Sequence, residues 1–279
     1  MKYLVAVSGG IDSVVLLDTL AGQKDCELIV AHFDHGIRPD SADDARFVEA
    51  LAAKYGVPFV TKREELGANA SEDLARSRRY LFLRTQAKRY DAVTATAHHR
   101  DDVIESIAIN LLRGTGWRGL AVLDAPDVVR PLIHVSKQYI RAYAMTRRLE
   151  WCEDSTNGTT KYLRNRVRAK LNPALTDYDK YTLFELWRRQ TKVKAAVDYQ
   201  AGLLVQANGD YSRYFFAMID NGSARELLRA AVAAQTHWSP TRPQLDQALI
   251  AIKTLRPGTV YELGAGVTLH FTPTTFIVA

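Results

Sequence analysis

The sequence predicts an α/β fold, in which a doubly wound, mostly parallel sheet is followed by a smaller, mainly helical domain with a terminal β-hairpin. Short apolar runs rich in β-branched residues alternate with longer amphipathic segments as far as Leu112. This alternation is typical of parallel strands joined by helical crossovers. Two strand-like runs on either side of Gly264-Ala265-Gly266 predict the hairpin.

The first strand-to-helix junction carries the segment Ser8-Gly9-Gly10-Ile11-Asp12-Ser13. It follows an apolar run at residues 3–7 and precedes another at 14–17. The first N–H groups of a helix lack internal partners and lie at the positive end of its dipole. Glycines let an anion approach this backbone, so the segment predicts a phosphate cradle rather than a plain turn. The lysine of a Gly-Lys-Ser phosphate loop is absent.

The following elements keep the same alternation. Further strands are predicted at residues 26–33, 58–60 and 92–97. The helix at residues 70–90 is predicted to begin at a capping box formed by Asn69 and Glu72.

Polar clusters follow three of the predicted strands, at residues 8–13, 34–38 and 98–102. Because the carboxyl ends of parallel strands meet at one edge of the sheet, we expect these clusters to form one site. Asp102 and Glu105 are three positions apart and share a helix face, where they could hold a metal or a cationic substrate beside a bound nucleotide.

The other polar residues of the third cluster have simpler explanations. Asp101 is equally well explained as compensation of the helix dipole. His98 and His99 are adjacent at a strand end and point in opposite directions. We therefore expect one of them to form hydrogen bonds in the site, rather than the two to bind zinc.

The charge distribution favours a polyanionic partner. The net charge is +6, and residues 161–170 carry five basic residues and no acid, which predicts contact with nucleic-acid phosphates. The glycine-rich segment at residues 113–120 contains Arg113, Trp117 and Arg118, and is either a flexible connection or a substrate lid.

Composition excludes several classes of protein. Cys26 and Cys152 are far apart and belong to no Cys-x-x-Cys pair, so we expect neither a disulfide framework nor a metal cluster. No apolar run reaches membrane-spanning length, and the serine and glycines at residues 8–10 interrupt the first run before a signal-peptide core forms. The expectation is a soluble, cytoplasmic protein with no membrane partner.

The helical pattern is interrupted at Asn172-Pro173, so we predict a domain boundary between residues 172 and 180. This divides the chain into residues 1–175 and 176–279. In the second part, helices are predicted at residues 180–205, from Ser223 and from Thr241, and a third strand is possible at 275–278.

Eight ordered motifs within the first 170 residues resemble the tRNA(Ile)-lysidine synthetases, a branch of the PP-loop ATP pyrophosphatases. The motifs are residues 8–13, residues 34–38, Ala75-Arg76 with Arg79-Tyr80, residues 97–102 with Glu105, residues 112–116, Pro131-Leu132, Glu153-Asp154 with Asn157, and Arg164-Asn165 with Arg168. Val103 and Ser106 stand where the family commonly has Gln and Thr, although Ser106 keeps the hydroxyl.

The resemblance implies a Rossmann-like PP-loop fold and a ligase activity. In this family ATP adenylates the C2 oxygen of the wobble cytidine in a CAU anticodon and releases pyrophosphate. The ε-amine of free L-lysine then displaces AMP and gives lysidine. The implied cofactors are ATP, as a substrate, and Mg²⁺, and the implied partners are lysine and tRNA(Ile). A homodimer is left open, and the chain corresponds to a short form without the extra C-terminal domain of longer members.

The resemblance also implies roles for individual residues. Residues 1–175 would form the ATP-binding catalytic domain, and residues 176–279 would add tRNA contacts. Catalysis falls to Asp12, Asp102 and Glu105, with Asp12 also facing Mg²⁺. The implied ATP-binding residues are Ser8, Gly9, Gly10, Ile11, Asp12, Ser13 and His32. The implied substrate and tRNA contacts are Arg76, Arg79, His98, Arg113, Arg164, Asn165 and Arg168. Whether Asp102 or Glu105 accepts the lysine proton stays open.

Two alternatives remain. A related PP-loop activity, tRNA thiolation, needs reactive cysteines, whereas Cys26 and Cys152 lie outside the motifs. A non-catalytic module that binds adenine nucleotides or RNA would not need Asp102 and Glu105 together.

Overall fold

The computed structural model describes residues 1–36, 41–67, 70–153, 163–205, 209–236 and 238–279. These residues form two compact units, Met1–Gln190 and Thr191–Ala279. Within them, no helix is both long and apolar enough to cross a membrane.

The first unit is built on a parallel sheet of five strands. The strands are β1 Lys2–Ala6, β2 Glu27–Asp34, β3 Phe59–Arg63, β4 Val93–Ala95 and β5 Val128–Val129. Their order is β3-β2-β1-β4-β5, and every neighbouring pair is parallel. The predicted fold class is confirmed. Strand β5 was not predicted, because two residues are too short a run to show a strand pattern.

The strand order reverses between β1 and β4, so the switch point of the sheet lies there. Val5 pairs with Val30 on one side and with Ala95 on the other, and Ala95 pairs with Val129. The carboxyl ends of β1, β4 and β5 therefore lie at one level. Ligands of such sheets bind in the crevice at this point.

Helices cover both faces of the sheet. They are α1 Ile11–Ala21, α2 Ser41–Lys54, α3 Glu72–Tyr90, α4 Arg100–Leu112, α5 Lys137–Thr146, α6 Leu163–Ala174 and α7 Asp177–Leu203, with a 3₁₀ turn at Trp117–Leu120. Alternate residues of β1 point to opposite faces. Val5 packs with apolar side chains of α1, α2 and α5, whereas Leu4 packs with Phe82 and Leu83 of α3.

Two predicted helix boundaries differ from the structure. Asn69 lies outside the described residues, and α3 begins at Glu72 with Ser71 as its cap, whose side chain accepts a hydrogen bond from the Leu74 N–H. Helix α6 continues through Pro173, because proline removes only its own N–H, and the Leu175 N–H still bonds the Leu171 carbonyl.

The two compact units divide later in the chain than the predicted domain boundary between residues 172 and 180. The first half of α7 belongs to the first unit, because Phe184 and Trp187 pack against Val103 and Ile107 of α4. The Trp187 indole N–H also donates to the Val122 carbonyl at 2.8 Å. The proline therefore marks a helix end but not the edge of the first core.

The second unit combines short helices with an antiparallel sheet. Its elements are β6 Asp210–Ser212, α8 Arg213–Met218, α9 Asn221–Gln235, α10 Arg242–Thr254, β7 Val260–Gly264, β8 Val267–Phe271 and β9 Thr275–Val278. The sheet order is β6-β9-β8-β7, so the predicted hairpin and the third strand are confirmed. Strand β6 and helix α8 were not predicted, and α9 is capped by Asp220 rather than Ser223.

Candidate active site

The segment between β1 and α1 is a loop held by its own serines. The Ser8 N–H donates to Ser13 Oγ at 3.2 Å, and Ser13 Oγ–H donates to the Gly10 carbonyl at 2.8 Å. Gly9 has φ +92°, and a Cβ at this position would lie 3.4 Å from Cys152 Sγ. Gly10 caps α1 without a side-chain hydrogen bond. The loop therefore turns the start of α1 toward the crevice with no side chain at the cap, as an anion site requires.

His32 on β2 lies beside this loop and is buried. Its Nδ1 is 2.9 Å from the Val7 carbonyl. A carbonyl can only accept, so Nδ1 carries a proton and Nε2 is the ring nitrogen left for another partner.

Lys137, at the first position of α5, reaches the loop from another part of the chain. Its ammonium forms an ion pair with Asp12, and its backbone N–H donates to Asp101 Oδ2 at 2.8 Å. The sequence motifs did not identify Lys137 as a site residue. The available signal was its position, since a cation in the first turn of a helix opposes the helix dipole and needs a reason.

His99 joins the loop to the carboxylates of α4. It is buried, and its Nε2 lies 3.7 Å from Asp12 Oδ1 and 3.5 Å from Asp102 Oδ2. Its backbone N–H donates to Asp102 Oδ2 at 2.9 Å. The structure therefore brings Asp12 and Asp102 to one buried ring, although they are far apart in sequence.

Glu105 is held by two arginines of α6. Arg168 binds both carboxylate oxygens, at 2.5 and 2.9 Å, and Arg164 Nε lies 3.7 Å from Oε2. Hydrogen bonding to Glu105 raises the pKa of Arg168 above its ordinary value. Arg164 also donates to Ser106 Oγ at 3.0 Å, so the hydroxyl at this position has a partner.

The described part of the basic run, residues 163–170, thus divides between two faces of α6. Arg164 and Arg168 are one helical turn apart and face the α4 carboxylates. Arg166 and Lys170 are exposed. Asn165 is partly buried beside Arg164.

His98 lies on the other side of α4's start, in a basic environment. Its Nδ1 is hydrogen-bonded to Thr96 Oγ1 at 2.9 Å. Burial lowers the pKa of His98 well below 6.5, and the charges of Arg79 and Arg76 lower it further. The ring is therefore neutral near pH 7.

Other predicted residues lie farther away or outside the described part. Arg113 is exposed at the C-terminal end of α4, and the helical rise puts it about 16 Å along the axis from Asp102. Asp34 is buried and accepts hydrogen bonds from Gly36 N–H and Arg63. Residues 37–38, 154, 157 and 161 lie outside the described residues.

The described residues contain no group of three or more histidine, cysteine or acidic side chains that could hold a metal ion. This donor set excludes an all-protein metal cage within the described ranges. The single carboxylate of Asp12 is still compatible with Mg²⁺, because that ion is commonly held by one or two carboxylates together with substrate phosphates.

Comparison with known proteins identifies the family to which the first part of the chain belongs. The PP-loop domain family matches residues 1–175. Curated tRNA(Ile)-lysidine synthases are similar: 39% identity over 188 residues with that of Geobacter sulfurreducens, 41% over 180 residues with that of Solibacter usitatus, and 34% over 186 residues with that of Thermotoga maritima. Each match covers 62% of this chain but only 40%, 41% and 45% of the relative. The chain thus spans less than half the length of these relatives.

A solved structure shares the fold. The U34-tRNA thiolase of Methanococcus maripaludis superposes with a TM-score of 0.59 at 18% sequence identity, covering 69% of this chain and 73% of the thiolase. At this identity the likeness concerns the fold alone.

Proposed function

Because the chain belongs to the PP-loop domain family, we propose that it uses ATP to join lysine to the wobble cytidine of a CAU anticodon in tRNA(Ile), as the resemblance implies. One structural observation supports the proposal in addition to family membership. His99 contacts both Asp12 of the loop and Asp102 of α4, at 3.7 and 3.5 Å. An ATP held by the loop would therefore lie beside a carboxylate suited to a cationic substrate.

ATP binding falls to the loop, His32 and Lys137. The N–H groups at the start of α1 and the hydroxyls of Ser8 and Ser13 offer donors to the phosphates. Lys137 supplies the cation that the loop sequence lacks, since its ammonium already lies at Asp12. When ATP binds, this ammonium is free to exchange the Asp12 carboxylate for a phosphate. Mg²⁺ bound by Asp12 and the phosphates would offset charge that develops on pyrophosphate as it leaves.

Adenylation comes first, because the C2 oxygen of cytosine is a poor leaving group. The oxygen attacks the α-phosphorus of ATP, a new P–O bond forms, and the bond to pyrophosphate breaks. Arg164 and Arg76 are the guanidiniums suited to contact the adenylate and the RNA. Neutral His98 offers a hydrogen-bonding partner for a polar base edge.

Lysine transfer needs a proton acceptor. The free ε-amine has a pKa of about 10.4, so forming the neutral amine at pH 7 costs roughly 4–5 kcal/mol. We assign the acceptor role to Asp102. Both oxygens of Glu105 are held by Arg168, at 2.5 and 2.9 Å, whereas Asp102 Oδ1 lies 3.9 Å from the nearest Arg168 nitrogen. The neutral amine then attacks C2, and the C–O bond to AMP breaks.

The direct test is incubation of the full chain with ATP, Mg²⁺, isotope-labelled lysine and a CAU-anticodon tRNA(Ile). The expected result is one lysine incorporated per tRNA, with release of AMP and pyrophosphate. A tRNA of the same body with a GAU anticodon is the matched control and should accept none. Absence of incorporation by folded protein that binds ATP would overturn the proposal in favour of a binding module.

A further inference from the structure

Arg130 directly follows β5 and lies at the crevice edge of the sheet. The Thr96 N–H donates to the Val129 carbonyl at 3.0 Å, which puts Thr96 and Arg130 at the same level of neighbouring strands. Thr96 Oγ1 in turn is bonded to His98 Nδ1 at 2.9 Å. Arg130 therefore shares its end of the sheet with His98.

Helix α3 brings two more guanidiniums to this place. Arg76 and Arg79 lie over the ring of Tyr80, with distances of 4.9 and 5.7 Å from guanidinium carbon to ring centroid. The charges of Arg79, Arg76 and Arg130 all act to lower the pKa of His98, after burial. With Arg164, which acts in the same direction, four cationic side chains thus surround one neutral ring.

Within the described residues, the carboxylate of Asp124 acts on Arg130 through its charge but forms no ion pair with it. Arg130 Nη1 donates to the Val128 carbonyl at 2.9 Å, and its Nε is buried without a hydrogen-bond partner. Among the residues that the structure describes, no carboxylate lies within ion-pair distance of Arg130 or Arg76. Burial lowers the pKa of Arg130 and the Arg76 charge acts in the same direction, whereas Tyr80 and Asp124 act to raise it. Like charges held together in this way favour a bound anion.

We propose that Arg130, together with Arg76, binds a backbone phosphate of the RNA substrate at a site separate from the Ser8–Ser13 loop. This inference rests on the proposed function, because it takes the polyanion to be tRNA. The ATP phosphates are assigned to the loop of β1 and α1. Arg76 comes from α3, which packs on the opposite face of the sheet from α1. The second site therefore lies toward the face of the sheet that α3 covers, opposite the face covered by α1.

Binding of CAU-anticodon tRNA to the full chain, titrated at several salt concentrations, tests the inference. Arg130→Gln should weaken binding at low salt roughly tenfold, as expected for loss of a hydrogen bond to a charged group. The slope of log affinity against log salt should fall by about 0.7, the value for one contact to a single strand. The KM for ATP should not change. Arg130→Lys should restore part of the affinity, because it keeps the charge but not the planar fork.

Arg89→Gln is the matched control. Arg89 is exposed on the same helix, and its guanidinium carbon lies 5.7 Å from the Tyr90 ring, as Arg79 does from Tyr80. We expect its tRNA affinity and salt slope to equal those of the unmodified chain. Arg76→Gln should weaken binding as Arg130→Gln does, and the double variant should lose less than the product of the two factors, because both guanidiniums serve one phosphate.

The outcomes separate the inference from the proposed function. If the unmodified chain does not bind CAU-anticodon tRNA, the proposed function is wrong and the inference falls with it. If the unmodified chain binds but Arg130→Gln and Arg76→Gln bind equally well, the inference alone is wrong. A raised KM for ATP with unchanged tRNA affinity would assign the phosphate to ATP and also overturn it.

Discussion

The two carboxylates of α4 differ in how the surrounding residues use them. Glu105 is a buried anchor for Arg168 and links α4 to α6, whereas Asp102 accepts one backbone N–H and keeps its other oxygen clear of hydrogen-bond distance to Arg168. The spacing in the sequence put both on one face, but it did not tell them apart. Only the packing of α6 shows which one is already occupied.

Asp102→Asn is therefore expected to separate the two half-reactions. Asparagine can still accept the His99 N–H but carries no charge and takes no proton. Lysine transfer should fall by about 10²–10⁴-fold, the usual contribution of a general base, while tRNA-dependent exchange of labelled pyrophosphate into ATP persists. Asp177→Asn, in the exposed first turn of α7, is the matched control. Unchanged lysine transfer in Asp102→Asn would remove this residue from the mechanism.

Lys137→Met tests the cation supplied to the loop. Removal of the ammonium should raise the KM for ATP by roughly tenfold or more, because a charge-assisted contact to phosphate is lost. Steady-state kinetics with varied ATP measure the effect. Lys62→Met removes a lysine from an exposed pair with Glu64 and should leave the KM unchanged. If both variants behave alike, the Asp12 ion pair is unrelated to ATP.

Local spacing in the sequence was enough to predict the loop and the shared helix face of Asp102 and Glu105, because each lies on one element or at one junction. Arg164 and Arg168 were singled out within the basic run by the resemblance to the family. Lys137 and Arg130 escaped prediction. Each joins the site through a strand neighbour or a helix end that only the tertiary structure brings near, and neither stands in a motif with an assigned role. The assigned roles of the site residues remain predictions.

At the scale of elements, a buried carboxylate ties three helices together. Asp18 of α1 accepts hydrogen bonds from Tyr55, which follows α2, and from Tyr143 of α5, each at 2.7 Å. Arg147 Nε adds a third at 3.3 Å. Burial alone would raise the pKa of Asp18, but these hydrogen bonds hold it below 3.8. The network fixes α5, and with it the position from which Lys137 reaches the loop.

Asp18→Asn should lower the free energy of unfolding by about 1–3 kcal/mol near neutral pH, because a buried charged acceptor is lost. A folded-state pKa below the ordinary value gives stability that is present above pH 3.8 and is lost as pH falls through the folded pKa. The difference between the two chains should therefore shrink in acid. Urea unfolding across pH measures it, with Asp43→Asn, in an exposed pair with Arg46, as the control. A difference that grows in acid would contradict the assignment.

The elements themselves were predicted well where they are long and periodic. The alternation of strands and helices as far as α4, and the hairpin of β7 and β8, follow from apolar spacing alone. Strands β5 and β6 have two and three residues and owe their structure to neighbours rather than to their own pattern. Pro173 does not interrupt α6, because a proline near the end of a helix costs one hydrogen bond.

At the scale of the whole molecule, ligand binding and stability are linked. A ligand that binds only the folded chain raises the free energy of unfolding by about 2.7 kcal/mol at one hundred times its Kd. ATP with Mg²⁺ should therefore raise the midpoint of thermal unfolding. Mg²⁺ alone should not, because the described residues hold no cluster of three ligands and Asp12 is paired with Lys137. Differential scanning fluorimetry measures both, with Lys137→Met as the variant in which the ATP shift is reduced. An equal shift with Mg²⁺ alone would point to a metal site independent of ATP.

The whole-molecule prediction of a parallel α/β unit followed by a smaller part with a hairpin is confirmed by the two sheets. The division into compact units at Gln190 could not be read from the chain, since it depends on which side of α7 each apolar residue packs. The net charge of +6 fits a polyanionic partner but names none. Arg76, Arg79 and Arg130 lie close together near His98, and this cluster is where we expect the polyanion to bind.

The ion pair of Asp12 and Lys137 joins positions that are 125 residues apart. A chain emerging from the ribosome can pair β1 with β2, and β2 with β3, long before Lys137 has been made. The phosphate loop of this nascent chain then lacks Lys137. Arg168, the ion-pair partner of Glu105, is synthesised later than Lys137. Nucleotide in the cell favours the folding of such a nascent chain less than that of the longer chain, because the Lys137 ammonium is missing. Early folding of the first unit therefore relies mainly on the burial of apolar strands, and ATP stabilises most strongly those chains whose synthesis has passed α5.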